Sequence, residues 1–304
     1  MTSFISMLDT QTEMLLYMAV GFLCWKKRII SKGSLQNFID FLMSIALPAM
    51  VFNSFNQPLT IDVLKKSAVA LALAIFAAGV GVLCGKCLYK KYPKDIRAVM
   101  QYGSVVNACT FSGLPLVEAL YGAQGMIFAS IYILPNRILM WTLGPMYFSE
   151  KEASTKGLAL RMVKNPNILA VIFGLLRSAL GVQLPVVVNT AIKGLAGIAS
   201  PFSLVIVGAI LAQADFQKLF CKGVGPLCMV RLILIPLSVL LAATVLSVDP
   251  LIRGIAVILS AMPIGATTAL FSAKYGADAR FASSCVFVTT VFSLVTATIF
   301  TLFT

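Results

Sequence analysis

Hydrophobic residues in this chain collect into ten long stretches divided by short polar links. They run near 4–25, 35–57, 67–89, 98–119, 124–148, 165–181, 184–212, 223–247, 251–273 and 281–303. A helix needs about 20 apolar residues to cross the hydrocarbon of a bilayer, and these stretches are close to that length. The pattern predicts an all-α membrane protein of ten transmembrane helices. The first stretch is the weakest, cleanly apolar only from Met14 to Trp25. No link reads as an independent soluble domain; the longest, Ser149 to Lys164, is a short charged connection.

Composition strengthens this reading. Of 304 residues, 59% are hydrophobic and 12% charged, with a mean hydropathy of +0.94. A soluble domain carries about 25% charged residues, and its wet exterior leaves no place to hide so much apolar surface. A disordered chain would lack the apolar content altogether. The formal charge of +13 does not point to nucleic acid, because the basic residues fall in short links, where they write membrane orientation. Links after odd-numbered stretches hold 16 of them: Lys26, Lys27, Arg28, Lys32, Lys90, Lys91, Lys94, Arg97, Lys151, Lys156, Arg161, Lys164, Lys218, Lys222, Lys274 and Arg280. Links after even-numbered stretches hold five, Lys65, Lys66, Arg177, Lys193 and Arg253. The odd links are expected in the cytoplasm of a multi-pass cell-membrane protein, with both termini outside. The chain has no Lys or Arg before Lys26, so no cleaved secretory signal is expected.

The chemistry available is restricted. With no histidine in the chain, Ser-His-Asp and Cys-His catalysis and every histidine metal site are excluded. The seven cysteines are odd in number and read as reduced packing residues. Cys84-Gly-Lys-Cys87 has redox or zinc spacing, but no second pair accompanies it. No cofactor, no metal and no catalytic residue is expected. A channel would show rings of repeated polar residues, and none stands out.

A weak internal repeat is visible. Ala-Leu-Pro48 recurs as Ala-Ser-Pro201 at an offset of 153, Tyr121-Gly-Ala as Tyr275-Gly-Ala at 154, and Pro115 pairs with Pro263 at 148. The halves are 1–150 and 151–304. Five helices per half is an odd number, so the second copy enters the membrane from the other side, as in many transporters.

The fourth and ninth stretches carry the candidate site. The fourth contains Asn107, Thr110, Ser112, Gly113, Leu114 and Pro115; the ninth contains Met262, Pro263, Ile264, Gly265, Thr267 and Thr268. Proline removes a backbone donor and nearby glycine eases departure from helical geometry, so both stretches are expected to break. Half-helices starting near Pro115 and Pro263, with Ser112 or Gly113 as a cap, would turn their N-termini toward the bilayer centre and favour a small organic anion such as a carboxylate. The upstream half-helix ends would present carbonyls that suit a cation. Asn107, Thr110, Thr267 and Thr268 read equally as ligands of a cavity or as partners for freed backbone. Asn53 is a further cavity candidate. Glu118 is a proton carrier or a wet outer residue, Arg137 is a balance for an anionic substrate or a partner for a carbonyl, and Arg231 is expected to snorkel to the cytoplasmic face.

Several segments, in order, resemble the auxin efflux carrier family in its short microbial form. They are Gly21-Phe-Leu-Cys-Trp-Lys-Lys-Arg28 running to Leu47-Pro48-Ala-Met50, Gly113-Leu-Pro115-Leu with Tyr121-Gly122, Asn165-Pro-Asn167 followed by Ile172-Phe-Gly174, Arg231-Leu-Ile-Leu-Ile-Pro236, and Met262-Pro263 through Tyr275-Gly-Ala-Asp278. The resemblance covers nearly the whole chain. It implies two inverted five-helix repeats with crossing breaks in helices 4 and 9, a scaffold from helices 1, 2, 6 and 7, and a transport domain from helices 3–5 and 8–10. It also implies elevator-type carriage of organic anions (auxin, or small carboxylates such as malate and malonate) and a homodimer formed through the scaffold; uniport and coupling to protons or sodium are both open to it. The long cytoplasmic loop of the plant carriers is absent here. Asn107 stands six residues before Gly113, where the family often has five. A sodium-coupled symporter of the bile-acid-transporter type, with a related architecture, is the alternative.

Overall fold

The computed structural model describes residues 2–56, 60–148, 166–213, 221–265 and 267–303, and these are helical, with a single two-residue bridge in place of any sheet. Lys151, Lys156, Arg161, Lys164, Asn165 and Lys218, used above for orientation or resemblance, lie outside the described residues.

In chain order the helices are α1 (Thr2–Lys26), α2 (Lys32–Phe41), α3 (Leu47–Ser54), α4 (Ile61–Leu88), α5 (Lys94–Val105), α6 (Leu114–Phe148), α7 (Pro166–Ala179), α8 (Val186–Leu211), α9 (Val224–Met229), α10 (Ile235–Val245), α11 (Pro250–Ser260), α12 (Thr267–Tyr275) and α13 (Ala279–Thr301). Their starts follow ordinary capping chemistry. Ser31 and Ser34 form a reciprocal box at α2, Thr60 accepts from Val63 N at α4, and Asp278 accepts from Arg280 N and Phe281 N at α13. Asp249 accepts from Leu251 N ahead of Pro250, and Lys66 bonds the same carboxylate at 3.0 Å, which holds it below the ordinary carboxylate range.

Among the described residues, six helical runs are long and apolar enough to cross a membrane: Gly33–Ser54, Ile61–Leu88, Cys109–Met140, Val186–Leu211, Val224–Val245 and Ala279–Thr301. The difference from ten has identifiable causes. The fourth stretch is interrupted, and its second half runs into the fifth through Gly122, whose backbone (φ 57, ψ −154) is not helical. The sixth and ninth contribute shorter apolar helices, Pro166–Ala179 and Pro250–Ser260. The polar residues Asp9 and Glu13 dilute the first.

Three prolines shape the helices in the same way. Proline has no N–H, and its ring crowds the carbonyl four residues back. Ahead of Pro48, Pro115 and Pro236 the chain opens into one π-turn: Leu42–Ala46, Cys109–Gly113 and Val230–Leu234. In each, the residue before the proline donates to the carbonyl five back, Leu47 to Leu42, Leu114 to Cys109 and Ile235 to Val230. Carbonyls released this way find side chains on facing helices. Asn167 Nδ2 donates to Met43 O at 3.1 Å, and Ser203 Oγ donates to Phe111 O at 2.9 Å. Pro201, by contrast, sits inside the α-helical α8.

Packing falls into two groups of helices. α1 lies along α8 at backbone contact: a Cβ on Gly21 would sit 1.9 Å from Val205 O, and one on Gly208 would sit 1.8 Å from Met18 O. Small residues that let backbones touch are the usual means of joining helices in lipid, where no hydrophobic drive is available. α3 packs on α7 and α8 beside this pair. In the second group α4 packs on α5, α6, α10 and α11, while α13 packs on α9, α11 and α12. Outward positions such as Leu16, Leu83, Ile75, Leu241 and Val295 are exposed and apolar, as a lipid-facing surface requires.

Candidate functional site

The interruptions of the fourth and ninth stretches meet. After α5, Val106 is extended (φ −92, ψ 116), and after α11 the residues Met262 to Gly265 leave helical geometry. Asn107 and Ile264 face each other as an antiparallel bridge, flanked by Ala108 N donating to Pro263 O at 2.8 Å and Gly265 N donating to Val106 O at 3.2 Å. Pro263 explains the ninth break, because it removes a donor and pushes the residue before it toward extended backbone. The fourth stretch has no proline at its break. It opens because the exposed edge beside Pro263 offers its backbone a partner, and because Asn107 supplies a local substitute for helix bonds.

The half-helices therefore start elsewhere than at the two prolines. The second half of the fourth begins at Cys109, six residues before Pro115, and the second half of the ninth begins at Thr267, four residues after Pro263. Pro115 produces a π-turn inside its half-helix, whereas Pro263 lies in the extended crossing, so the two are not equivalent positions. The upstream half-helices end at Val105 and Ser260, 155 residues apart, close to the other repeat offsets. The glycines of the two Tyr-Gly-Ala copies share a positive φ, 57 at Gly122 and 75 at Gly276.

The cap is also different. Ser112 and Gly113 are inside the π-turn and buried, and the N-cap position is Ala108, which has no side-chain oxygen. Asn107 does the work from one residue further back. Its Oδ1 accepts from Cys109 N at 3.3 Å, and its Nδ2 donates to Leu259 O at 2.7 Å. Phe111 N and Ser112 N both return to Ala108 O. Of the two readings of Asn107, the bonds are those of a backbone partner. The amides at the break are largely taken up, which leaves the dipole as the positive character of the half-helix head.

Asn136 was not legible as a site residue. Its Nδ2 donates to Asn107 O at 3.1 Å and lies 2.9 Å from Cys109 Sγ, while its Oδ1 accepts from Asn107 N at 3.3 Å. One amide thus pairs with both backbone groups of Asn107, as a neighbouring strand would. The available signal was a polar residue in the middle of an apolar stretch, beside Arg137.

Arg231 does not snorkel. It is 3% exposed and stands in the third π-turn with its guanidinium on the ends of both upstream half-helices. Nη1 donates to Ser104 O at 3.0 Å, Nε to Met262 O at 3.1 Å, and Nη2 to Ser260 O. The reason is electrostatic. Each helix C-terminus carries roughly half a negative charge on unpaired carbonyls, and two such ends brought together need one cation. The cation expected at these carbonyls is the protein's own arginine.

The other predicted residues surround this crossing. Gly113 and Gly265 are points of close approach: a Cβ on Gly113 would sit 2.7 Å from Leu259 Cδ2, and one on Gly265 3.1 Å from Thr267 Oγ1 and 3.4 Å from Asn107 O. Thr110, Leu114, Pro115, Met262, Pro263 and Ile264 are buried, and Ile264 N donates to Thr289 Oγ1 at 3.3 Å. Thr267 Oγ1 lies 3.2 Å from the hydroxyl of Tyr102. Asn53 is not brought to the crossing by any bond; it stands near the end of α3, and its buried Oδ1 has no partner among the described residues. Glu118 is exposed and accepts from Ser200 Oγ. Arg137 is 3% exposed, with both terminal nitrogens 3.7 Å from Met43 Sδ.

Two small spaces adjoin the crossing, and a larger cleft lies apart from it. One small space of about 20 Å³ is lined by Ser112 and Met262 with Met14, Met18, Thr290 and Ser293. Asn107, Asn136, Tyr132 and Arg231 share with the small side chains of α4 a cavity of about 20 Å³, room for a single water. A larger cleft of about 380 Å³ opens among Lys94, Arg97, Tyr147 and Tyr275. Phe148 and Tyr275 of its lining belong to an aromatic cluster with Tyr102 and Phe271, the ring centres standing 5.4 to 6.4 Å apart.

Comparison with known proteins gives a family. The profile of the membrane transport protein family matches residues 7–159 and 152–301. An uncharacterized transporter of Methanothermobacter thermautotrophicus is 22% identical over 298 residues, covering 96% of each chain. One from Methanocaldococcus jannaschii is 20% identical over 297 residues, covering 94% of this chain and 95% of its own.

Proposed function

The chain belongs to the membrane transport protein family, and from that premise we propose that it is a secondary carrier for small organic anions, carboxylates of the malate, malonate or auxin kind. As a multi-pass membrane protein it is placed, on this reading, in the cell membrane with ten spans and both termini outside. The observation that carries the proposal is the joined pair of interrupted helices, with polar side chains and half-helix heads gathered at one crossing. Unwound backbone is tolerated in lipid only where protein covers it or a cavity needs it, and discontinuous helices of this kind mark transporter binding sites.

The mechanism follows from the two helix groups. The scaffold would comprise α1, α2, α3, α7 and α8, held by the glycine-lined contact of α1 with α8. The transport domain would comprise α4 to α6 and α9 to α13, carrying the crossing past the scaffold to face each side in turn. Inverted repeats are supported by the spacing of the half-helix ends and the paired Tyr-Gly-Ala turns. The cleft at Lys94, Asp95 and Arg97 would serve as the cytoplasmic mouth. A homodimer through the scaffold belongs to the same proposal, as does proton coupling through Glu118.

Arg231 weighs against the sodium-symport alternative at this place, because its guanidinium already occupies the carbonyl ends that would coordinate a cation. The experiment is uptake of labelled malate, malonate and indole-3-acetate into proteoliposomes, in sodium and in choline buffers. Saturable uptake of at least one anion, equal in both buffers, is expected. Flux that disappears in choline would establish the sodium symporter instead, and no flux of any of the three would remove the carboxylate proposal.

A further inference from the structure

Three arginines of the described residues are buried, and their surroundings differ. Arg231 meets three carbonyls. Arg177 donates to Asn56 Oδ1 at 2.7 Å and to Val182 O at 3.3 Å, with the ring of Phe52 5.3 Å from its guanidinium. Arg137 has no oxygen partner among the described residues. Its terminal nitrogens have only the thioether of Met43, a weak acceptor, and its buried Nε has no partner among the described residues. Neither ion pair of the described residues includes it. A buried guanidinium left in this condition is costly, and a packed apolar side chain would serve the fold better.

Its position gives the cost a purpose. Asn136, the preceding residue, bonds both backbone groups of Asn107 and reaches Cys109, which seats this turn of α6 against the head of the half-helix that begins there. Arg137 is the next residue of that turn, and its guanidinium reaches Met43. Met43 belongs to the π-turn between α2 and α3, whose carbonyl is held by Asn167 of α7. Arg137 therefore stands between the half-helix head and the other helix group.

We infer that Arg137 is the docking cation for the carried anion, its fork receiving a carboxylate that also faces the positive end of the half-helix at Cys109. The inference rests on the carrier reading above and names the charge that selects the substrate. A carboxylate accepts two parallel N–H bonds from the fork and supplies the charge that Met43 cannot. The bound anion replaces the Met43 contact, so the charged fork leaves the facing helix group when it takes substrate. Amides and esters of the same acids lack the charge and are rejected.

The test uses the full chain in detergent, with Arg137→Met, Arg137→Lys and, for contrast, Arg231→Met. In carboxylate-free buffer Arg137→Met melts above the wild type, since it removes an unpaired charge, whereas Arg231→Met melts below it. Acetate and malonate raise the melting temperature of the wild type; the shift is absent in Arg137→Met and partly retained in Arg137→Lys. Uptake falls at least tenfold in Arg137→Met. If Arg137→Met melts at or below the wild type, or neither anion shifts the wild type, the assignment is overturned. Undiminished uptake in Arg137→Met overturns it while leaving the carrier intact, whereas a wild type without flux removes the carrier proposal itself.

Discussion

Replacing Arg231 by methionine tests the electrostatics of the crossing. The substitution keeps much of the side-chain volume and removes every donor, leaving the carbonyls of Ser104, Ser260 and Met262 buried without their partner. A hydrogen bond from a charged group contributes about 1.5–3 kcal/mol, so three of them set an upper bound near 5–9 kcal/mol. Relief from burying the guanidinium offsets part of that sum. Disruption of a buried charge network by loss of one member typically costs about 3–5 kcal/mol, and that is the expected destabilisation. Arg231→Lys keeps the charge but has no planar fork to span three carbonyls, so it should fall between methionine and wild type. Equilibrium unfolding in mixed detergent micelles, followed by tryptophan fluorescence or circular dichroism, reads the order directly. An Arg231→Met protein as stable as wild type would refute the reasoning, because the helix ends would then have shown no need of a cation.

Three further outcomes are expected. Asn136→Leu strands both backbone groups of Asn107 and should cost about 2–3 kcal/mol in the same unfolding assay, with no effect if the bridge holds Asn107 unaided. Gly208→Ala places a Cβ 1.8 Å from Met18 O and should separate α1 from α8, costing about 3 kcal/mol or more; engineered cysteine pairs across the two helices would then cross-link less. Gly122→Ala meets no atom within 4 Å, yet should cost about 1–3 kcal/mol from its φ of 57 and ψ of −154, a region essentially reserved for glycine. A neutral result there would mean that the turn relaxes freely.

Much of the architecture was legible because membrane helices announce themselves by length and apolarity, and Pro263 with Gly265 marks a break by local chemistry alone. The break at Val106 to Ala108 was not, since its sequence carries no proline there; it forms against a partner strand 157 residues away, which no local pattern records. Pro115 misled for a related reason. A proline near a helix start can be absorbed by widening one turn, and Ser203 on α8 accommodates the carbonyl that this releases. Arg231 was misplaced because snorkelling depends on distance to the interface, whereas its actual partners are helix ends that exist only after the chain has crossed. Asn136 has no local sequence signature beside the more conspicuous charge of Arg137, although it pairs both backbone groups of Asn107.

The most direct measurement of the central claim is uptake of labelled malate, malonate and indole-3-acetate by proteoliposomes containing wild type or Gly265→Leu, with folding of both confirmed by a monodisperse gel-filtration peak. Gly265 N donates across the bridge to Val106 O, and a Cβ there would sit 3.1 Å from Thr267 Oγ1 and 3.4 Å from Asn107 O, so the further carbons of leucine are expected to disturb the bridge. The account predicts saturable carboxylate uptake by the wild type and its loss in the folded variant. Equal uptake by both proteins would contradict it, for the anion would then be crossing the membrane without passing through the joined breaks.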